Sequence, residues 1–310
     1  MAGKADKADK NRQKRRRRLG LKLAAAALLA ALVALGFMAL NAATLHLRRA
    51  EVFVPDLPPA FEGLRILYAS DIDICGINTP ERAADAILRM KALEPDLLLL
   101  GGDYASASLA RLLDRSEGDQ GADDRFQACA RFFQQIAGFD APLGTWAIAA
   151  PEDGDPARLA PLMQQAGIRP LFNSAERIEH GGQSILLAGL CDASLSHDLH
   201  ASGVRRGDCV ICCAWSPECF PQLMTMEASD GGPLADLLLA GHTHGGQIVL
   251  FGRSVLTLTD REQRCLSGWR RENDVPMLTT AGMGCEGTNL RLGSRAEAWL
   301  ITLTAAPAGE

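Results

Sequence analysis

Apolar residues along this chain fall into two regimes. Leu19 to Leu40 is one run rich in Ala and Leu, with Lys22 as its only charge, and it matches the roughly 20 residues that a bilayer-spanning helix needs. Beyond Glu51 the apolar residues come in short runs separated by polar or periodic stretches, the pattern of buried strands alternating with helices. Strands are predicted over 64–70 (LRILYAS), within PDLLLLGGDY to an end at Asp103, and over 145–150, 184–190, 209–214, 236–240, 247–251, 276–280 and 297–304. Helices are predicted over 80–93, where Thr79 and Pro80 form an N-cap and first-turn proline, over 125–137, from Asp155-Pro156 onward, and over 217–226. The polar stretch 105–124 reads as a surface excursion. Strands broken by helices favour an α/β sandwich with its chemistry at strand ends.

These patterns divide the 310 residues into a basic tail (1–18), a transmembrane anchor (19–41), a linker and entry segment (42–62), one large domain (63–305) and a short tail (306–310). The tail MAGKADKADKNRQKRRRR has no means of building a core and is expected to be disordered. Residues 1–41 carry ten Lys+Arg and two Asp+Glu, a charge of +8, so the net charge of -5 conceals a body at -13. An acidic body excludes nucleic acid as the expected partner. Arg15 to Arg18 directly before the apolar run place the N-terminus in the cytoplasm and the domain on the other side of an inner or plasma membrane, in a single pass. A cleaved signal peptide is the alternative for the apolar run, and a cytoplasmic-face domain is the alternative for location. The nine cysteines suit the latter, since their number is odd and their spacing forms no disulfide framework. Cys209, Cys212 and Cys213 lie in CVICCAW, an apolar run in which alternation sends Cys212 and Cys213 to opposite faces. They read as small buried hydrophobes rather than a metal cluster.

The candidate chemistry centres on Ala240-Gly241-His242-Thr243-His244-Gly245-Gly246-Gln247, which follows the apolar run Leu237-Leu238-Leu239. Two imidazoles at a strand end can face one cavity, and the flanking glycines let backbone approach an ion or phosphate. Acidic residues end the first two strands, at Asp71-Ile72-Asp73 and Asp103. Each has a plainer reading, a core histidine or an aspartate capping the next loop. Taken in order, strand-Ser70-Asp71-x-Asp73, strand-Gly102-Asp103 and strand-Gly241-His242-Thr243-His244-Gly-Gly-Gln resemble the calcineurin-like metallophosphoesterases. Their pattern is Asp-x-His, Gly-Asp, Gly-Asn-His-Asp/Glu, His and Gly-His-x-His. LPPAFEGLRILYASDI and AGMGCEGTNLRLGSRAEAWLITL resemble the membrane-anchored branch, and the likeness covers 52–303.

The resemblance implies a metallophosphoesterase-like β-sandwich flanked by helices, preceded by one transmembrane helix. It also implies a divalent metal cofactor of the Mn, Fe, Zn or Mg class. In such sites two ions sharing a carboxylate polarise a phosphoryl oxygen and activate water for in-line attack. By resemblance Asp71 and His244 serve the first ion, Asp103 bridges and His242 serves the second. Asp73 stands at the family's histidine position, a competent ligand for a hard ion. Pro151 replaces the family asparagine, Glu152 replaces the histidine that assists the leaving group, and Trp215 replaces a further metal-binding histidine. One ion is therefore expected rather than two, with Glu152, His197 or His200 as candidate substitutes.

Two functions follow from that expectation. One is a membrane-anchored hydrolase of a phosphodiester or pyrophosphate, with a lipid-linked substrate as one option. The other is an inactive family member serving as a membrane-associated binding or structural module. For topology, a reporter fused to the C-terminus is expected to read the non-cytoplasmic side, and a cytoplasmic signal from an inserted chain would contradict the charge argument.

Overall fold

A computed structural model describes residues 2–107, 119–191, 204–255 and 259–305. It divides into two compact units, Met1–Leu40 and Asn41–Glu310. The first unit is helical, the greater part of α1 (Ala2–Ala43). Its apolar stretch is long enough to cross a membrane, and none of the most apolar window is buried against protein. The basic segment 1–18, expected to be disordered, is instead helical from Ala2. Ala, Lys and Arg are good helix formers, and extending a helix already nucleated by the apolar run costs little.

In the second unit β1 (His46–Phe53) leads to β2 (Arg65–Ala69), α2 (Pro80–Met90), β3 (Leu97–Leu100), α3 (Asp119–Ile136), β4 (Thr145–Ala147), α4 (Pro156–Gln165) and β5 (Ile168–Pro170). Then come β6 (Ser174–His180), β7 (Gln183–Leu190), β8 (Val210–Ala214), α5 (Phe220–Thr225) and β9 (Leu237–Ala240). The hairpin β10 (Val249–Leu250) and β11 (Arg253–Ser254), α6 (Asp260–Arg264), β12 (Gly268–Glu272), β13 (Val275–Thr279) and β14 (Glu297–Thr304) complete it. Two six-stranded sheets result, in the orders β1-β14-β2-β3-β4-β5 and β12-β13-β9-β8-β7-β6. The architecture is thus an α/β sandwich flanked by helices.

Local sequence explains the main elements. Thr79 caps α2 by accepting from the Arg82 N–H, and Asp155 caps α4 by accepting from Ala157, each followed by proline in the first turn. Asp96 and Asp236, just ahead of β3 and β9, play matching roles. Asp96 accepts from the Arg65 N–H at 2.7 Å and Asp236 from the Val210 N–H at 2.8 Å, so each fixes the start of the neighbouring strand. Along β8, Cys209, Ile211 and Cys213 enter the inter-sheet core, while Val210, Cys212 and Ala214 pack on the other face. The cysteines of this run are free and buried, with burial driving their thiol pKa values upward.

The two central strand clusters lie where the apolar runs predict them, and the edges differ. Within the segment expected to be linker, β1 pairs in parallel with β14 in register from His46–Glu297 to Phe53–Thr304. Its sequence HLRRAEVF is too polar to read as a buried strand, because it is an edge with charges facing out. The strand expected over 247–251 contracts to β10, because Phe251 and Gly252 both adopt positive φ and turn the chain into β11. His197 and His200 lie outside the described residues.

Asp236 supplies a test of the second sheet. Burial first, with a smaller push from Asp56, raises its carboxyl to about 7 against the pull of the Val210 N–H. A raised acid disfavours ionisation in the fold, so its contribution to stability falls as pH rises from about 4 to about 7 and is level above that. Asp236→Asn keeps the acceptor and removes the charge. Denaturant titrations should show the variant gaining on the wild type across that window, by about 1 kcal/mol or more, and an unchanged difference at pH 4 and pH 8 would refute it.

Candidate active site

Site-bearing loops leave the carboxyl ends of β2, β3, β4 and β9 and are bonded to one another by backbone. Asp71 N–H donates to Gly102 O at 3.0 Å and Asp73 N–H to Asp103 O at 2.9 Å, joining the first two loops. On the other side Met283 N–H donates to Ser70 O and Gly284 N–H to Asp71 O at 2.7 Å, bringing in the loop after β13. Asp71, Asp73, Asp103, His242 and His244 all sit in the left-handed region, at φ 50°, 46°, 54°, 72° and 51°. Asp and His tolerate that region better than most residues, yet five such positions in one site mark stored backbone strain.

Those five residues converge on one cleft. Asp73, Asp103, Glu152, His242, His244 and Arg125 are among the groups lining it, with Asp71 fully buried behind them. His244 Nε2 meets Asp73 Oδ2 at 2.6 Å. The His242 backbone N–H donates to Asp71 Oδ1 at 2.7 Å, and Ser70 Oγ donates to the same oxygen at 3.2 Å. Asp71 Oδ2 is buried with no hydrogen-bond partner. Two glycines make the close approach possible. A Cβ at Gly241 would lie 2.6 Å from Asp71 Oδ1, and one at Gly282, where φ is +70°, would lie 2.5 Å from Asp71 Oδ2.

Electrostatics follow from this crowding. Burial pushes the Asp71 carboxyl up to about 7, His244 pulls it down, and the carboxylates of Asp103 and Asp73 push it up again. Burial disfavours a charged His244, but the Asp73 carboxylate outweighs it and raises the ring to about 9. His242 is disfavoured by burial in the same way and raised to about 10 by Asp103 and Glu262. Its Nδ1 lies 3.6 Å from Asp103 Oδ2 and its Nε2 3.3 Å from Glu262 Oε1, so both ring nitrogens face carboxylates. Trp215 packs edge-on against the same ring at 4.3 Å between centroids. Glu152 stands at the cleft edge, its pKa raised by partial burial and by Asp103.

Several residues that matter here were not marked by sequence reasoning. Glu262 is drawn below the usual carboxylate range, to about 2, chiefly by its contact with His242. Its signal was Thr259-x-x-Glu262, a capping box in which each end bonds the other's backbone N–H. Asp153 accepts from the N–H groups of Ala150, Asp103 and Tyr104 at 2.7, 3.0 and 2.6 Å, and so fixes the β4 loop against the β3 loop. Arg125 had no sequence signal beyond lying on a helix. Arg291 is wholly buried, and its guanidinium donates to the carbonyls of His244, Ala281, Gly282 and Gly284 and to Ser294 Oγ. No carboxylate pairs with it among the described hydrogen bonds and ion pairs.

Oxygen-rich donors and the orphaned Asp71 Oδ2 suit a hard divalent cation. As they stand the groups pair with each other, and among the described residues no set of three His, Cys, Asp or Glu side chains is arranged to hold a metal ion.

No profile of a known protein family matches the chain. Phosphodiesterase YaeI of Escherichia coli is 28% identical over 249 residues, which cover 77% of this chain and 82% of that protein. Proteins named transmembrane protein with metallophosphoesterase domain are 25% identical over 270 residues in Danio rerio and 28% identical over 278 residues in Bos taurus. Those matches take in 82% and 83% of this chain but 56% of each relative, so the chain spans little more than half of either vertebrate protein.

Arg291 gives the test of how the site is held. Arg291→Met should cost about 3 kcal/mol or more in denaturant unfolding, because it strands buried carbonyls that now accept from the guanidinium. Arg291→Lys should recover only part of it, since an ammonium lacks the planar fork. A loss below about 1 kcal/mol for the methionine variant, within the range of surface substitutions, would contradict this role.

Proposed function

We propose that the chain is a member of the calcineurin-like metallophosphoesterase family, a reading its relatives support, and that it is a membrane-anchored phosphoesterase working with one divalent ion. Asp71, Asp73, Asp103 and His244 hold that ion in this reading. The bound ion supplies positive charge at the phosphoryl group and lowers the pKa of water. The rest falls to the chain's own groups. Arg125 at the cleft wall offers positive charge to a phosphoester, and Glu152, with its raised pKa, is placed to manage a proton at the leaving oxygen.

The observation that carries the one-ion reading is the state of His242. Its two nitrogens face Asp103 and Glu262 on opposite edges of the ring, and Trp215, which by resemblance stands where the family has a further histidine, packs edge-on against it. Carboxylates at both ring nitrogens support leaving His242 out of the ion's ligand set.

For the membrane part, the apolar stretch of α1 and the likeness to the two vertebrate transmembrane proteins support a single-pass anchor. The basic tail before it supports an orientation with the N-terminus in the cytoplasm. The substrate class is a phosphodiester or pyrophosphate.

Elemental analysis and a generic phosphodiester assay on the purified chain test this together. The expected outcome is no more than one tightly held divalent ion per chain and hydrolysis that is slow, by about 10²-fold or more, for want of a histidine acid. Asp73→His, Pro151→Asn, Glu152→His and Trp215→His combined should add a second ion and raise turnover, with a thermal melt to confirm folding. Two ions and rapid turnover in the unmodified protein would defeat the one-ion reading. One ion with no turnover on any phosphoester would favour the binding-module alternative.

A further inference from the structure

In the globular unit, the large apolar side chains exposed among the described residues are few: Ile77, Leu250, Phe251 and Val255. Phe251, at the tip of the β10–β11 hairpin, is exposed as completely as in an extended chain, at 106%. A lone exposed apolar residue needs no explanation, but a phenylalanine at a turn in left-handed conformation, beside an exposed leucine and valine, does.

All four lie on segments tied to the residues where the chain leaves the anchor. Asn41, the first residue of the globular unit, donates from Nδ2 to Arg291 O at 3.4 Å. The next residue, Leu292, is bonded to the hairpin: its carbonyl accepts from the Val249 N–H at 2.7 Å, and it bridges Ile248. Phe251 follows Val249 by two residues, roughly 7 Å of extended chain. On the other flank Ala43 O accepts from the Arg82 guanidinium at 2.8 Å, and Ile77 shares a small cavity with Ala42, Ala43, Leu45, Arg82 and Met283.

We propose that this face, the hairpin tip with Leu250, Phe251 and Val255 on one side and Ile77 on the other, rests in the interfacial layer of the bilayer. The occupant follows from connectivity. Leu40 is covalently joined to Asn41, so a spanning 19–40 stretch brings lipid to within a few residues of both apolar loops. Exposed Arg253, two residues after Phe251, suits the headgroup region, where basic and aromatic side chains flank apolar insertions. Both loops continue in the chain from residues of the candidate cleft, Asp73 and His244. The Asn78 side chain, next to Ile77, donates to Ile72 O, and the hairpin begins two residues after Gln247 of the histidine motif. Seating this face on the bilayer holds the cleft beside the membrane surface instead of leaving the domain to swing on its tether.

The inference rests on α1 being a bilayer anchor, and the test separates the two. The full-length chain is reconstituted in phosphatidylethanolamine and phosphatidylglycerol vesicles with p-benzoylphenylalanine at 251, at 77, or at Glu179, an exposed position on β6. Alkaline carbonate extraction reports insertion, and mass spectrometry of the illuminated protein reports adducts. Lipid adducts several-fold more abundant at 251 and 77 than at 179 in carbonate-resistant chains are expected. Carbonate-resistant chains with no such excess overturn the docking proposal alone, as would adducts at 251 to a second copy or another protein. Chains released by carbonate overturn the anchor reading and the docking with it.

Discussion

Arg291 gives its charge to backbone. The guanidinium is fully buried, and it gathers the carbonyls of His244, Ala281, Gly282 and Gly284 beneath a cleft that holds Asp71, Asp73 and Asp103. Three carboxylates brought together at low exposure repel one another, and the fold needs positive charge that cannot swing away. His244 and His242 supply it, each against its own carboxylate. Loosening the Arg291 loops would free the backbone that presses Gly282 against Asp71 and presents His244 to Asp73.

Strain and electrostatics act on the same residues. The five cleft residues adopt positive φ because each strand must turn sharply at its carboxyl end to aim a side chain into one small volume. Such conformations persist where surrounding bonds over-determine them. Here the Asp71–Gly102, Asp73–Asp103 and Gly284–Asp71 backbone bonds do so, with Asp153 tying the third loop to the second. The arrangement leaves Asp71 Oδ2 buried with no protein donor to satisfy it.

What the sequence made legible and what it hid follow from one distinction. Fully buried strands announce themselves by apolar runs, so β2, β3, β8 and β9, and with them the residues at their ends, could be read directly. The alternation that splits Cys212 from Cys213 was legible for the same reason. Edge strands carry no such signal: β1 is polar outward and its pairing with β14 spans the whole chain. Glu262 had a local signature, but a capping box does not tell which histidine its carboxylate will meet. Arg291 could not be found, because an arginine bonded to carbonyls looks like any surface arginine until the loops are folded. The tail was misread because composition that forbids a core does not forbid a helix extended from a neighbour.

The central claim is that Asp71, Asp73, Asp103 and His244 form a place for one divalent cation, and thermal unfolding with and without Mn²⁺ tests it without reference to turnover. Excess Mn²⁺ should raise the melting temperature of the metal-stripped full-length protein in detergent by mass action. Asp71→Asn should abolish the rise while leaving the metal-free melt as high as the wild type or higher, since it removes a buried charge. No shift with Mn²⁺, or a shift that Asp71→Asn leaves intact, would contradict the account.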